Sequence, residues 1–211
     1  MALRAVLSDF DGTITEEDVA ELLLHEFTGD AWLAIERQHA QIGTRETLRR
    51  EFDLVRTSRE RLLAAAERLA RLDPTFPSFL AFCRQQGIHL EIVSEGFDAY
   101  LAPLLRMWNL DVPFRTNAAT FVGDRIEFAH PYADPTCTLC GTCKMKRVLE
   151  LRAAGYRVAF VGNGISDICP ALEADLVFAK ADLERLCREH GRECVPFRDF
   201  SDVQRGIAEW R

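Results

Sequence analysis

No run of apolar residues in this 211-residue chain is long enough to span a membrane, which takes about 20 in succession. The amino terminus, MALRAVLSD, has one basic residue and a short apolar run that leads straight into an acid, so it does not read as an export signal. Positive charge is scarce: 33 acidic residues face 26 Lys and Arg, and the net charge of −7 argues against nucleic acid or an anionic membrane as a partner. Seven cysteines cannot all pair, and without an export signal they read as reduced thiols rather than a disulfide framework. These absences lead to the expectation of a cytoplasmic protein. What is present, 48% hydrophobic and 28% charged residues, describes a globular chain with room for one core and a smaller appended module.

The most informative stretch is LSDFDGTITEE, residues 7–17. The apolar run Ala5, Val6, Leu7 ends in Asp9 and Asp11, and then Gly12 and Thr13 break the strand pattern. Two carboxylates therefore fall at the C-terminal end of a strand, where ligands bind in open α/β sheets. Two acids repel a phosphate unless a divalent cation lies between, or unless one attacks phosphorus while the other handles a proton. Taken alone, the motif also reads as an Asp-Gly turn beside a solvated aspartate.

From Thr15 to Leu72 there is no strand signal, only apolar residues at helical spacing, such as Val19, Leu22, Leu23 and Phe27. Thr28-Gly29-Asp30, Ile42-Gly43-Thr44 and Thr57-Ser58 read as joints, with Asp30, Thr44 and Thr57 or Ser58 as N-cap candidates. A bundle of about four helices is expected here, inserted after the first strand and placed over the site as a lid. Residues 1–14 and 73–211 form the expected core, and 15–72 the cap.

Within the core, Pro74 and Pro77 open a helix that Gly87 closes, and residues 88–93 alternate into a strand that stops at Ser94-Glu95-Gly96. A helix over 100–108 follows, then a hairpin of 118–122 and 125–128 around Gly123-Asp124. A helix over 146–153, a fully apolar strand 158–161, a helix 168–174, a strand 175–179 and helices from Ala181 and Phe200 complete the chain. Strands that alternate with helices predict a three-layer α/β/α, Rossmann-like core with a mainly parallel sheet.

Three further polar groups fall at strand ends or loop–helix junctions. Ser94, with Glu95 and the backbone freed by Gly96, is suited to hold phosphate oxygens, although it also reads as a helix N-cap. Lys144 is a cation between a Cys-Gly-Thr-Cys turn and a helix, with Lys146 as its competitor. Asn163 and Asp167, in VGNGISD, offer oxygen ligands of the kind Mg²⁺ prefers. Cys137, Cys140 and Cys143 are spaced to ligate zinc with His130, Asp134 or Cys169, but paired CxxC knuckles are missing.

In that order and at those spacings, DFDGT, Ser94, Lys144 and GNGISD resemble the haloacid dehalogenase superfamily of phosphatases, in the branch with a small helical cap. The resemblance implies a phosphomonoesterase for a small phosphorylated metabolite. Asp9 would be the nucleophile that forms an aspartyl-phosphate, Asp11 the acid and then the base, and Ser94 and Lys144 the phosphoryl binders. Asp9, the Asp11 carbonyl, Asn163 and Asp167 would hold Mg²⁺. The segments CGTCK (140–144), DLVFAK (175–180), LCRE (186–189) and PFRDF (196–200) are similar to the phosphatases of methionine salvage. Phosphoserine phosphatases share the core and cap and place an acid at the position of Asp18, facing substrate. The run SDICP (166–170) is also similar to phosphocholine and phosphoethanolamine phosphatases. Asn163 stands where the superfamily usually has Asp, which motivates an alternative: a catalytically weak sensor or scaffold that binds a phosphorylated ligand. A monomer or homodimer is expected.

Overall fold

The computed structural model describes residues 3–210, so residues 1, 2 and 211 of the expected core segments lie outside the described residues. The chain opens with β1 (Leu3–Ser8) and then leaves the sheet for α1 (Val19–Thr28), α2 (Leu33–Glu36), α3 (His39–Ile42), α4 (Thr44–Phe52) and α5 (Arg59–Leu69). It returns through α6 (Phe76–Gln85), β2 (His89–Phe97), α7 (Asp98–Met107), β3 (Phe114–Val122) and β4 (Arg125–Ala129). The remainder is α8 (Lys144–Ala153), β5 (Tyr156–Gly162), α9 (Ile168–Glu173), β6 (Leu176–Ala179), α10 (Ala181–Glu189), β7 (Val195–Pro196) and α11 (Phe200–Glu209). Among the described residues no helix is long and apolar enough to cross a membrane.

The seven strands form one sheet in the order β4-β3-β2-β1-β5-β6-β7. Every pairing is parallel except β3 with β4, the hairpin marked by Gly123-Asp124. β1 is central because both of its faces are buried: Ala5 and Leu7 point to one apolar cluster, with Val158, Phe160 and Val177, and Val6 to the other, with Ile92 and Val161. Its C-terminal end, flanked by β2 and β5, is thus the middle of the molecule's ligand-binding edge.

The excursion between β1 and α6 is closed at a narrow neck. Thr15 and Leu72 form an antiparallel bridge, Glu16 N–H donates to the Arg71 carbonyl at 2.9 Å, and Asp73 N–H to that of Ile14 at 2.9 Å. Ser58 caps α5 as expected, accepting from Arg61 N–H. The other caps differ: Asp18 caps α1, Asp30 sits against His25 at 3.3 Å instead of starting a helix, and Gly43 precedes α4. The excursion holds five helices rather than about four, because α2 and α3 are single turns of four residues each. Phe52 anchors it to the sheet edge, edge-on to Phe97 at 4.9 Å and to Phe128 at 5.8 Å.

β2 continues through Ser94-Glu95-Gly96 to Phe97 rather than stopping, with a register shift against β3 between Val93 and Phe97. Ser94 is therefore a strand residue, which removes the helix N-cap reading. α8 begins at Lys144, two residues earlier than the sequence pattern indicated.

Candidate active site

Asp9 is the first residue past β1, and its N–H still donates to the Val161 carbonyl of β5 at 2.9 Å. The chain then coils on itself: the amides of Thr13, Ile14 and Thr15 all donate to the Phe10 carbonyl, at 3.2, 2.9 and 3.1 Å. This coil keeps Asp9 and Asp11 at 5% and 7% exposure. Gly12 is required in it, since φ is +67° and a Cβ would run into the Asn163 side chain.

Lys144, at the first turn of α8, reaches across to this coil. Its Nζ donates to Asp9 Oδ1 at 2.6 Å and to Asp167 Oδ1 at 2.7 Å, with Ser166 Oγ at 3.3 Å. Asp167 Oδ2 accepts the amides of Asn163 and Gly164, each at 3.0 Å, which fixes the glycine loop after β5. Thr13 Oγ1 lies between Asp9 Oδ2 (3.2 Å) and Asn163 Oδ1 (2.9 Å), so its one proton serves either. On the other side, Asp11 Oδ2 accepts from Ser94 Oγ at 3.1 Å and from the Tyr100 hydroxyl at 2.7 Å. Gly96 N–H donates to Ser94 Oγ at 2.9 Å, and a Cβ at Gly96 would collide with Tyr100.

Asp9, Asp11, Ser94, Gly96, Lys144, Asn163 and Asp167 are thus brought together, but two expectations change. The Glu95 carboxylate turns to the cysteine loop and accepts the amides of Gly141 and Thr142, at 3.0 and 3.2 Å. A carboxylate so placed holds the loop that carries Lys144; when ionised it offers only acceptors, which do not suit phosphate oxygens. Both oxygens of Asp167 are already committed, so it shapes the loop behind the open oxygens of Asp9 and Asn163 instead of standing among them.

The electrostatics follow from burial. Loss of water pushes the Asp9 carboxyl up to about 7 in spite of the Lys144 ammonium, and Asp167 adds to the rise. Asp11 is raised well above the carboxylate range, again by burial first and then by Asp18 and Asp9. For Lys144, burial works against the charge, but Asp167 and Asp9 outweigh it and raise the pKa. The site keeps a surplus of buried negative charge and an all-oxygen donor set, which fits a hard divalent cation. No group of three or more His, Cys, Asp or Glu side chains that could hold a metal occurs among the described residues, so Cys137, Cys140, Cys143, His130, Asp134 and Cys169 do not assemble the zinc site considered from their spacing.

Above the floor lies a cavity of about 550 Å³, roofed by the helical excursion. Asp18 lines it, as expected for a substrate-facing acid, while its Oδ1 accepts Glu21 N–H at 3.0 Å; burial, then Glu21, raises its carboxyl to about 6. Tyr100, Thr13, Trp32, Glu51 and Lys180 complete the surroundings and were not anticipated. Thr13 carried a sequence signal in its place in DFDGT and Lys180 in its place at the end of DLVFAK; Tyr100, Trp32 and Glu51 carried none and arrive from elements distant in sequence.

The sequence model of the haloacid dehalogenase-like hydrolase family matches residues 6–172. The chain is 34% identical over 212 residues to the 2-hydroxy-3-keto-5-methylthiopentenyl-1-phosphate phosphatase of Brevibacillus brevis, covering 97% of this chain and 96% of that one. It is 36% identical over 203 residues to the protein of the same name from Geobacillus kaustophilus, covering 92% and 91%. Among solved structures, a phospho-aspartyl intermediate analogue of phosphoserine phosphatase aligns with a TM-score of 0.76 at 17% identity, over 97% of this chain and 99% of that one. A substrate-bound phosphoserine phosphatase complex aligns at 0.75 and 17%, over 97% and 98%. At such identity the structural likeness speaks for the fold.

Proposed function

The chain belongs to the haloacid dehalogenase-like hydrolase family, and on that footing we propose that it is a phosphomonoesterase in which Asp9 is the nucleophile and Asp11 the acid and base. The substrate we assign is 2-hydroxy-3-keto-5-methylthiopentenyl 1-phosphate, the compound in the name of relatives that match almost end to end. The observation that carries the reading is the pair of buried carboxyls with different partners. Asp9 is bound to a lysine, and Asp11 only to hydroxyls and an amide.

In the first half-reaction an Asp9 oxygen bonds to phosphorus as the ester bond breaks, and the leaving oxygen takes the proton of Asp11. Burial raises the pKa of Asp11, which favours the protonated form that this step needs. In the second, Asp11 removes a proton from water, which attacks the aspartyl-phosphate and releases inorganic phosphate and Asp9. Lys144 orients Asp9 and offsets phosphoryl charge, while Ser94 and the Gly96 amide lie beside Asp11, able to exchange their present bonds for phosphoryl oxygens. Asp9, the Asp11 carbonyl and Asn163, with Asp167 behind them, would hold Mg²⁺, which would supply positive charge against the phosphoryl oxygens. The helices between β1 and α6 act as the cap over residues 1–14 and 73–211.

Turnover of the assigned compound and of p-nitrophenyl phosphate in Mg²⁺, lost in Asp9→Asn, is the test. A sensor of phosphorylated ligands, the reading favoured by Asn163, binds phosphate in the same assay and turns over neither compound.

A further inference from the structure

The segment 130–143, between β4 and α8, has neither helix nor strand, yet it delivers Lys144 to the catalytic floor. One residue of the helical excursion holds the middle of it. The Arg45 side chain, in the first turn of α4, donates to the Cys140 carbonyl through Nε at 3.0 Å and Nη2 at 2.6 Å, and to the Cys137 carbonyl through Nη2 at 3.3 Å. Its backbone N–H donates to the Leu139 carbonyl at 2.9 Å. Three carbonyls of residues 137–140 thus take a donor from Arg45, two of them from a charged group, the stronger kind of bond. Gly43 permits the approach: its φ is +80°, and a Cβ there would come within 3.0 Å of the Leu139 Cα and carbonyl oxygen. Leu139 is 54% exposed, so apolar burial is not what seats α4 on this loop.

The next three residues are held from the core. Gly141 and Thr142 give their amides to Glu95, and Cys143 N–H donates to the Tyr132 carbonyl at 3.0 Å before its sulfur caps α8. Gly141 lies against Asn117 and His130, themselves 2.7 Å apart, and a Cβ would run into both. Asn117 Nδ2 also donates to the carbonyls of Glu95 and Gly96, at 2.7 and 3.0 Å. Glu95 and Gly96 in turn continue from Ser94, which donates to Asp11. Residues 137–144 therefore touch α4 at one end and the partners of both catalytic acids at the other. Each proton of the Lys144 ammonium already has an acceptor, in Asp9, Asp167 and Ser166, so a shift in the first turn of α8 displaces the cation that Asp9 shares with Asp167.

We propose that Arg45 is a positioning residue for the reaction: from α4 it fixes the loop 137–143 and, through that loop, the place of Lys144 against Asp9. The proposal rests on the phosphatase reading for what Lys144 does. α4 lines the cavity through Thr44, Thr47, Leu48 and Glu51, whereas Arg45 lies outside the lining. The link thus bears on how well the nucleophile is oriented and leaves the choice of substrate to other residues.

Steady-state hydrolysis of p-nitrophenyl phosphate in Mg²⁺ and amide hydrogen exchange of the loop test it together. Arg45→Ala is expected to lower kcat about tenfold or more with KM within about threefold of wild type, the signature of a misplaced catalytic group. The amides of Gly141 and Thr142 are expected to exchange about tenfold faster in that variant. Arg49→Ala, on the same helix but paired with Glu46 and Asp53 on its exposed face, is the control and is expected to leave both measures within about twofold. A kcat for Arg45→Ala within about twofold of wild type, a KM that rises as far as kcat falls, unchanged exchange at Gly141 and Thr142, or an equal loss in Arg49→Ala overturns the proposal. Should Arg45→Ala fail to fold, Arg45→Gln is read by the same measures. The exchange comparison needs no turnover, so it decides the link even where wild type hydrolyses nothing and the phosphatase reading itself fails.

Discussion

Two buried carboxylates, one on β2 and one just past the end of β1, meet opposite fates. Glu91 of β2, opposite Leu7 of β1 and 3% exposed, accepts two bonds from Arg147 (2.7 and 2.9 Å), one from Arg115 (2.9 Å) and one from His89 (2.9 Å). Burial works against its charge, yet Arg147, His89 and Arg115 outweigh it and hold its pKa below the ordinary value. Asp9, two positions beyond Leu7, shares a single ammonium with Asp167, and its pKa is raised to about 7. Where the chain satisfies a buried charge completely, the charge serves the fold. Where it leaves the charge underpaid, the site is ready for a positive partner or a developing bond.

The largest way to break this contrast is Asp9→Asn. Steady-state turnover is expected to fall by roughly 10⁴-fold or more, with a thermal midpoint at or above that of wild type, since an under-compensated buried charge is removed. Turnover near wild type would remove Asp9 from the chemistry. Lys144→Met should cost both activity and stability, on the order of 3 kcal/mol by denaturant unfolding, because two buried carboxylates lose their shared cation. Glu91→Gln gives the mirror image: a stability loss on the order of 3 kcal/mol from stranded Arg147 and Arg115, with kcat/KM within a few-fold of wild type. If Glu91→Gln instead abolished activity at unchanged stability, the division between structural and functional charge would be wrong.

Asn163→Asp tests the floor more gently. It adds a charge where Asn163 Oδ1 now meets Thr13, and the Mg²⁺ concentration for half-maximal activity is expected to fall several-fold, by roughly 1 kcal/mol after desolvation is offset. An unchanged Mg²⁺ titration would place Asn163 away from the metal. The smallest effect is on pH. The folded-state pKa of Asp9 is raised from 3.8 to about 7, so in the presence of a chelator the folded state holds that proton more tightly and stability declines as pH rises through this window. Glu91 has the opposite sign: its contribution is present above its ordinary value of 4.5 and is lost as pH falls below it. Thermal midpoints measured in chelator should therefore fall off on both sides of about pH 5, with Asp9→Asn making the alkaline limb shallower, since Asp11 and Asp18 contribute to it with the same sign, and Glu91→Gln the acid one.

Much of the floor was legible because its residues sit beside the signals that end strands. Asp9 and Asp11 follow an apolar run, Asn163 and Asp167 follow another, and glycines punctuate both. The hairpin turn and the helical excursion announced themselves by the same local rules. What the sequence did not reveal depends on distance along the chain. Nothing local to Tyr100 predicts that its hydroxyl will meet Asp11, 89 positions away, nor that Glu95 will accept amides 46 and 47 positions on. β2 looked finished at Ser94 because glycine and polar residues usually end strands, but pairing with β3 carries the extended backbone on to Phe97. Trp32 and Glu51 lie in the stretch read only as helical, and only packing brings them to the wall of the cavity.

The neck at Thr15 and Leu72 has a further consequence. For the polymer, an excursion whose two ends touch is already a closed loop, and the entropy of closing it grows only with the logarithm of its length, about 0.6 kcal/mol per doubling. The sheet is therefore nearly indifferent to how much chain passes through that doorway. A different set of helices can be grafted between the same two residues at little cost to the folding of the rest. What the molecule chooses to bind and how it cleaves can then vary independently, like a tool whose handle stays fixed while its jaw is exchanged.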